Sequence, residues 1–367
     1  MKIRVNKQGS VTYNLRLPDE LDVVDRCESR VGNVVVVQAL EEKRVYDVLE
    51  LVTGRMAKIS KDDVIVGALG NRQALRGFVG EVPETVAVGD TLHILNLGGV
   101  IGTCTSENKD YGAPLRVRVL GMAVRGGRIL NVAHGALPEA KRLGKSAPLV
   151  MISGTCMNAG KTMAASEIVA KLTQRGFRIA AAKLSGVACL KDVLSMRDHG
   201  AVDGLSFLDC GYPSTAGMTE LSPMAKGILI QLNRAKPDAI VVEMGDGIIG
   251  GYGVSSIFHD PELMKATVAH VMAANDLVAA WGAKLCMQQH GQNIDVMCGP
   301  ATDNEVGRAY VQRELELPAA NARVDPERLA DLVEDKLRAA MGSKAPRPRP
   351  GFRGDSRSAA TRSRRKS

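Results

Sequence analysis

A chain of 367 residues is long for one ordinary domain and a comfortable length for two. Hydrophobic residues make up 45% and aromatic residues 3%. That is enough to bury a core but too few rings for a surface that stacks single-stranded nucleic acid. The formal charge of +8 sits wholly in residues 343–367, SKAPRPRPGFRGDSRSAATRSRRKS, which hold nine Lys or Arg and one Asp, so residues 1–342 carry 39 charges of each sign and are neutral as a body.

That tail is rich in Pro, Arg, Ser and Gly and has one large apolar residue, Phe352. It cannot bury enough surface to fold and reads as a disordered, solvated extension; contact with nucleic acid or an anionic surface is the rival reading. The seven cysteines are scattered without a C-x-x-C pair, which gives neither a zinc signature nor a disulfide framework. Neither a signal-peptide pattern nor an 18-residue apolar run is present, so the expected setting is cytoplasmic and away from membranes.

Residues 1–140 alternate short Val/Ile/Leu runs such as GNVVVVQAL and VGDTLHILNLGGVIGTC with Gly-rich turn signals. This rhythm predicts a β-rich domain, a small sheet or a barrel. One helix is expected in EEKRVYDVLELVTGRM, residues 41–56, where apolar residues fall at helical spacing. A polar connector, GALPEAKRLGKSAP, follows at 135–148. From 146 to 342 the rhythm becomes strand, loop, helix. LVMIS, RIAAAK, AIVVE, ATVAHVMAA and IDVMCG read as strands. Helices are expected in KTMAASEIVAKLTQRG, SPMAKGILIQLNRA, LVAAWGAKLCMQQHG and VDPERLADLVEDKLRAAM. The alternation predicts an α/β domain with a parallel sheet covered on both faces.

The first strand of that domain runs into Gly154-Thr155-Cys156-Met157-Asn158-Ala159-Gly160-Lys161-Thr162. A buried strand, a glycine loop and a helix opening on Lys-Thr is the context of a P-loop, whose backbone N–H groups surround phosphate. Lys161 would reach the outer phosphate oxygens and Thr162 would bind Mg²⁺. The first glycine stands one place earlier than in G-x-x-x-x-G-K-[ST].

With that shift, the loop resembles those of dethiobiotin synthetase and cobyrinic acid a,c-diamide synthase, members of the P-loop class that includes signal-recognition and MinD-like NTPases. Two further stretches agree: AAAKLSG, with Lys183, Ser185 and Gly186, and VVEMGDG, with Glu243, Gly245 and Gly247. The resemblance covers about residues 148–320. It implies a P-loop domain binding ATP and Mg²⁺, with Lys161, Lys183 and Glu243 as catalytic residues. Gly154 to Thr162 would cradle the nucleotide, and Thr162, Glu243 and an acidic residue after the second strand would hold the metal. For that last ligand Asp198 is the candidate and Asp192 the rival. In GPATDNEVG (299–307), Thr302, Asp303 and Asn304 would lie near the base, with Asp303 as a plain helix cap the alternative.

The sequence also departs from these families. Dethiobiotin synthetase lacks such an N-terminal domain, the glutaminase of the cobyrinate enzyme is missing, and Met244 and Asp246 flank the glycine after Glu243. By resemblance the chain would phosphorylate a small carboxylate or carbamate to form an amide-like bond. The alternatives are a regulatory P-loop ATPase or GTPase acting on a protein partner, or a small-molecule kinase whose base cannot be located. The extra lysine of MinD-like switches is absent from positions 155–158, which favours the enzyme. A homodimer fits the relatives, with the first domain as dimer contact or substrate lid. His199 and His259, Ser214 and Thr215 in CGYPSTAG, and Arg72 and Arg76 are weaker candidates for substrate contact, each with an ordinary structural reading. Cys156 reads as a small filler.

Overall fold

The computed structural model describes residues 1–342 together with 345 and 346. The rest of the basic tail lies outside the described residues.

Alternation explains the N-terminal part. In Val34–Ala39 the side chains of Val35 and Val37 enter one apolar cluster and those of Val34 and Val36 another. A strand turns successive residues to opposite faces, so VVVV reads as a strand buried on both. Val64–Leu69 does the same: Ile65 and Leu69 point one way, Val66 and Ala68 the other. Five strands close on themselves. Leu115–Arg125 pairs with Val34–Ala39, which pairs with Val64–Leu69, which pairs in parallel with Val100–Glu107; Thr91–Ile94 then bridges Val100–Glu107 back to Leu115–Arg125. The sheet-or-barrel expectation resolves as a closed barrel, whose interior is filled by Val35, Val37, Ile65, Ile101, Val117 and Val119.

The helix expected at 41–56 is not there. Val48–Glu50 and Met56–Lys58 form an antiparallel hairpin instead. Gly54 takes φ +82° in its turn, and Leu49 is fully buried. Helical spacing was present, but the tertiary burial of one extended face overrode it.

The second part is a six-stranded, wholly parallel sheet. Its order is Gly204–Ser206, Ile179–Lys183, Ala239–Glu243, Leu149–Gly154, Thr267–Ala273, Val296–Cys298. Val150 and Ile152 pack beneath the helices Lys161–Gln174 and Pro326–Met341, while Leu149 and Met151 face the helix Ser222–Asn233. That second core cluster continues from Val5 and Val34 to Ala319, so the barrel's outer face and the sheet's layer share one interior. The connector straps the sheet part: Pro138 lies so close over Gly227 that no side chain fits between them, and Leu143 and Ala147 donate their N–H groups to Glu262 and Asn233. No described helix is long and apolar enough to cross a membrane.

His270, in strand Thr267–Ala273, is buried with its Nε2 2.6 Å from Ser153 Oγ. Burial pulls its pKa down to about 4. Unfolded, the ring titrates near 6.5. Between those values the unfolded chain holds a proton that the folded chain refuses. Stability is therefore complete above pH ~6.5 and falls toward pH ~4, on the order of 1 kcal/mol per unit. Urea midpoints at pH 7 and pH 5 in the protein and in His270→Asn should show a steeper pH loss in the former. Equal losses would mean that other groups carry it.

Candidate functional site

The sheet register brings three motifs together. Glu243 pairs with Lys183 on one side and Ile152 on the other, at the carboxyl ends of adjacent strands. In an open parallel sheet this is where ligands gather. Two glycines then allow the loops to touch. A Cβ on Gly247 would lie 2.6 Å from Thr155 O, and one on Gly245 would collide with the Ser185 carbonyl. Ser185 Oγ donates to Gly245 O at 3.1 Å. Gly245→Ala is thus expected to cost about 3 kcal/mol of stability by forcing these backbones apart. A denaturant midpoint unchanged by the substitution would show that the loops are free to separate.

The loop from Gly154 to Thr162 leads into helix Lys161–Gln174, with Gly160 at φ +91° and Asn158 at φ +61°. The backbone N–H groups of Cys156 to Thr162 have no acceptor among the described residues. Seven such groups at a helix N-terminus form an anion cradle. Lys161 is 6% exposed, and its Nζ donates to Cys156 O at 2.7 Å, folded over the loop. Burial lowers its pKa, against the attraction of Glu243.

Thr162 Oγ1 donates to Glu243 Oε1 at 2.8 Å and lies 3.5 Å from Asp192 Oδ1. Lys183 binds Asp192 directly and stands 3.6 Å from Glu243 Oε1. Burial opposes the charge of Lys183, but Asp192 and Glu243 outweigh it and hold the ammonium above its usual range. Burial likewise works against Asp192, and Lys183 leaves it ionised with a lowered pKa. Glu243 is raised by burial, with Lys183 opposing. Its Oε2 is buried without a partner, an orphan that a cation would satisfy. Hydroxyl and carboxylate oxygens are the donors that Mg²⁺ prefers. Among the described residues no three His, Cys or acidic side chains form a metal cage, so phosphate and water would complete the shell, the usual arrangement for Mg²⁺ at a nucleotide.

Of the two acidic candidates, the structure brings Asp192 to the site and not Asp198. Asp198 ends helix Lys191–Asp198, exposed and about two turns beyond Asp192. The period of that helix points Asp192 at Lys183 and Asp198 elsewhere. Asp192 is positioned by a residue that the sequence reading missed. Glu50, fully buried in the barrel hairpin, accepts the N–H groups of Leu190 and Lys191 at 2.7 Å each and so caps this helix. No local signal could reveal a contact between residues 140 apart.

Asp303 and Asn304 are exposed and outside the cavity above Lys161. Asn304, not Asp303, caps helix Glu305–Glu314, accepting from Gly307 N at 3.0 Å, while Asp303 accepts from Asn321. Thr302 is buried, with its hydroxyl on Gly299 O and Ala320 O, and does not line the cavity. His199 is exposed on its own helix and His259 sits against His290; neither lines the cavity. Thr215 supports the Lys183 loop by accepting Gly186 N, and Ser214 accepts Ala216 N. Cys156 contributes its carbonyl, to Lys161.

The cavity has a volume of about 640 Å³ and lies between the two parts. Met157, Asn158, Lys161, Thr162 and Asp192 line one side, and Tyr46, Arg72, Arg76 and Asn96 the other. Asp246, with φ +61° and a buried, unpartnered Oδ1, stands on its wall; burial raises its pKa.

No protein-family model matches the chain, and no curated protein matches it. Solved structures similar to it include chloroplast FtsY from Physcomitrella patens, at 16% identity over 52% of this chain and 67% of that one with a TM-score of 0.36. FtsY from Thermotoga maritima matches at 12% identity over 52% and 69% with a TM-score of 0.36. The signal recognition particle 54 kDa protein from Aeropyrum pernix K1, solved with GDP, matches at 14% over 54% and 51% with a TM-score of 0.33. The chain's own geometry, a buried strand, a loop of unpaired N–H groups and a helix opening on Lys161 and Thr162, is that of a P-loop on a parallel α/β sheet.

Proposed function

We propose that this chain binds a nucleoside triphosphate with Mg²⁺ at the P-loop and transfers its terminal phosphoryl group to a small carboxylate. The observation that supports the reading most is the row of seven unpaired N–H groups from Cys156 to Thr162 beside the buried Lys161. Thr162, Glu243 and Asp192 are the residues to hold Mg²⁺, which would supply charge neutralisation at the phosphates. On this reading Lys161 leaves the Cys156 carbonyl for phosphate oxygens, and Lys183 faces the charge of the group in transfer. Such sites act by positioning and by prearranged charge. A carboxylate oxygen attacks the terminal phosphorus and the nucleoside diphosphate leaves, giving an acyl phosphate. An amine then displaces inorganic phosphate to form the amide, and the proton it loses passes to Asp246, whose raised pKa suits a base.

A second reading, a nucleotide switch that acts on a protein partner, has Glu50 in its favour. The cap joins the barrel to the helix carrying Asp192, so a change at the nucleotide would be felt across the interface. The test is turnover of ATP and of GTP with Mg²⁺, against a panel of small carboxylates and amines. Turnover that needs one acid and yields a new amide supports the ligase. Hydrolysis indifferent to every small molecule supports the switch, and no binding of either nucleotide overturns both.

A further inference from the structure

Arg72 sits in the barrel wall of the cavity, 5% exposed. Its Nη1 donates to Tyr46 Oη at 2.7 Å and to the Leu95 carbonyl. Its guanidinium lies 5.5 Å from the Tyr46 ring centre and 5.8 Å from that of Phe78, so aromatic contacts fix its plane. Nε is buried with no partner, and among the described residues Nη2 has no acceptor and Arg72 no carboxylate within ion-pair range. A buried charge is normally paired, because desolvation without a counter-ion costs several kcal/mol. Of the other buried cations of this cavity, Lys183 is ion-paired with Asp192 and Glu243, while Lys161 feels Glu243 and Asp246, and Arg72 feels Asp246, without ion-pair contact. Gly77, at φ +143°, keeps space open beside Nη2, where a Cβ would come within 2.6 Å. Arg76, exposed, lines the same wall.

We infer that Arg72, with Arg76, forms an oxyanion subsite for the phosphoryl acceptor, binding an anionic group of that molecule, carboxylate or phosphate, opposite the P-loop. The inference rests on the proposed phosphoryl-transfer reading for its acceptor, while the site itself rests on Arg72. A planar guanidinium suits such a group because it offers parallel N–H donors. The volume of about 640 Å³ is in the range of small-molecule sites and leaves room for an acceptor beside a triphosphate.

The experiment is calorimetric titration of the full chain with Mg²⁺ and the non-hydrolysable ATP analogue AMP-PNP, then with acetate, succinate, glutarate and inorganic phosphate added to the complex. The wild type should bind at least one of these anions, and which one binds separates carboxylate from phosphate. Arg72→Met, close in length and uncharged, should weaken that anion tenfold or more and leave the AMP-PNP constant within about twofold. Arg76→Ala, at an exposed position that does not threaten folding, should weaken the anion severalfold. Three results overturn the subsite: AMP-PNP binds and none of the four anions does, anion binding survives both substitutions, or Arg72→Met weakens AMP-PNP as much as the anion, which would place Arg72 on the nucleotide. Failure of AMP-PNP itself to bind would sink the nucleotide reading instead, and anion binding that still depends on Arg72 would then leave the subsite standing.

Discussion

Lys161→Ala is expected to lower nucleotide turnover by about a thousandfold or more and to leave the fold intact. One prearranged charge at a developing anion contributes a few kcal/mol to the barrier, and Lys161 is the cation enclosed by the phosphate loop itself. Stability should respond far less. Lys161 is nearly buried, and burial works against its charge; its one hydrogen bond is to Cys156 O. Truncation removes an unfavourable buried ammonium and leaves one carbonyl unpaired, so the thermal midpoint should move by only a few degrees. Turnover in the wild type and variant, with midpoints taken on the same samples, checks both halves. Wild-type turnover in the variant would remove Lys161 from the mechanism.

Glu50→Ala is expected to reach the site from outside it. The carboxylate is fully buried and accepts two N–H groups at 2.7 Å. Without it, the first turn of helix Lys191–Asp198 has one buried and one half-buried donor without partners, the buried one costing about 1–3 kcal/mol and the other less. A loss of about 2 kcal/mol in unfolding free energy follows, together with a weaker hold on Asp192, which lies in the same turn. On the role proposed for Asp192 at Mg²⁺, the magnesium dependence of turnover should then shift to higher concentration by about tenfold, the effect of loosening one ligand's support. Glu50→Gln keeps one acceptor oxygen and should recover part of both losses. A variant that unfolds more easily yet shows an unchanged magnesium requirement would confine Glu50 to stability.

The outline of the second part could be read from residue order. A run such as LVMIS, apolar without alternation, is what a strand covered on both faces requires, and the helices that follow carry their own start and stop residues. The three motifs that meet at the carboxyl ends of the sheet's strands were legible for the same reason. Each is a strand end followed by a loop that needs glycine, and chemistry of that kind is written locally: Lys161 and Thr162 in one loop, Lys183 in a second, Glu243 in a third. The barrel was half legible. Short apolar runs between turn signals identified strands, but closure depends on Thr91–Ile94 meeting two neighbours, and no segment contains that information. The helix expected at 41–56 failed because period is a local signal, whereas Leu49 answers to the barrel interior and Glu50 to a helix 140 residues away.

Residue order alone was enough for the parallel α/β sheet and for the strand-end loops that carry Lys161 and Thr162, Lys183 and Glu243, since hydrophobic period and loop chemistry are properties of neighbours in the chain. Tertiary packing brought Asp192 rather than Asp198 beside Lys183 and Thr162, buried Arg72 in the cavity wall rather than leaving it on the surface, and joined the hairpin to the Asp192 helix through Glu50. Those are matters of direction and distance between residues far apart in the chain, fixed only when packing removes water and every buried charge and donor must find its partner.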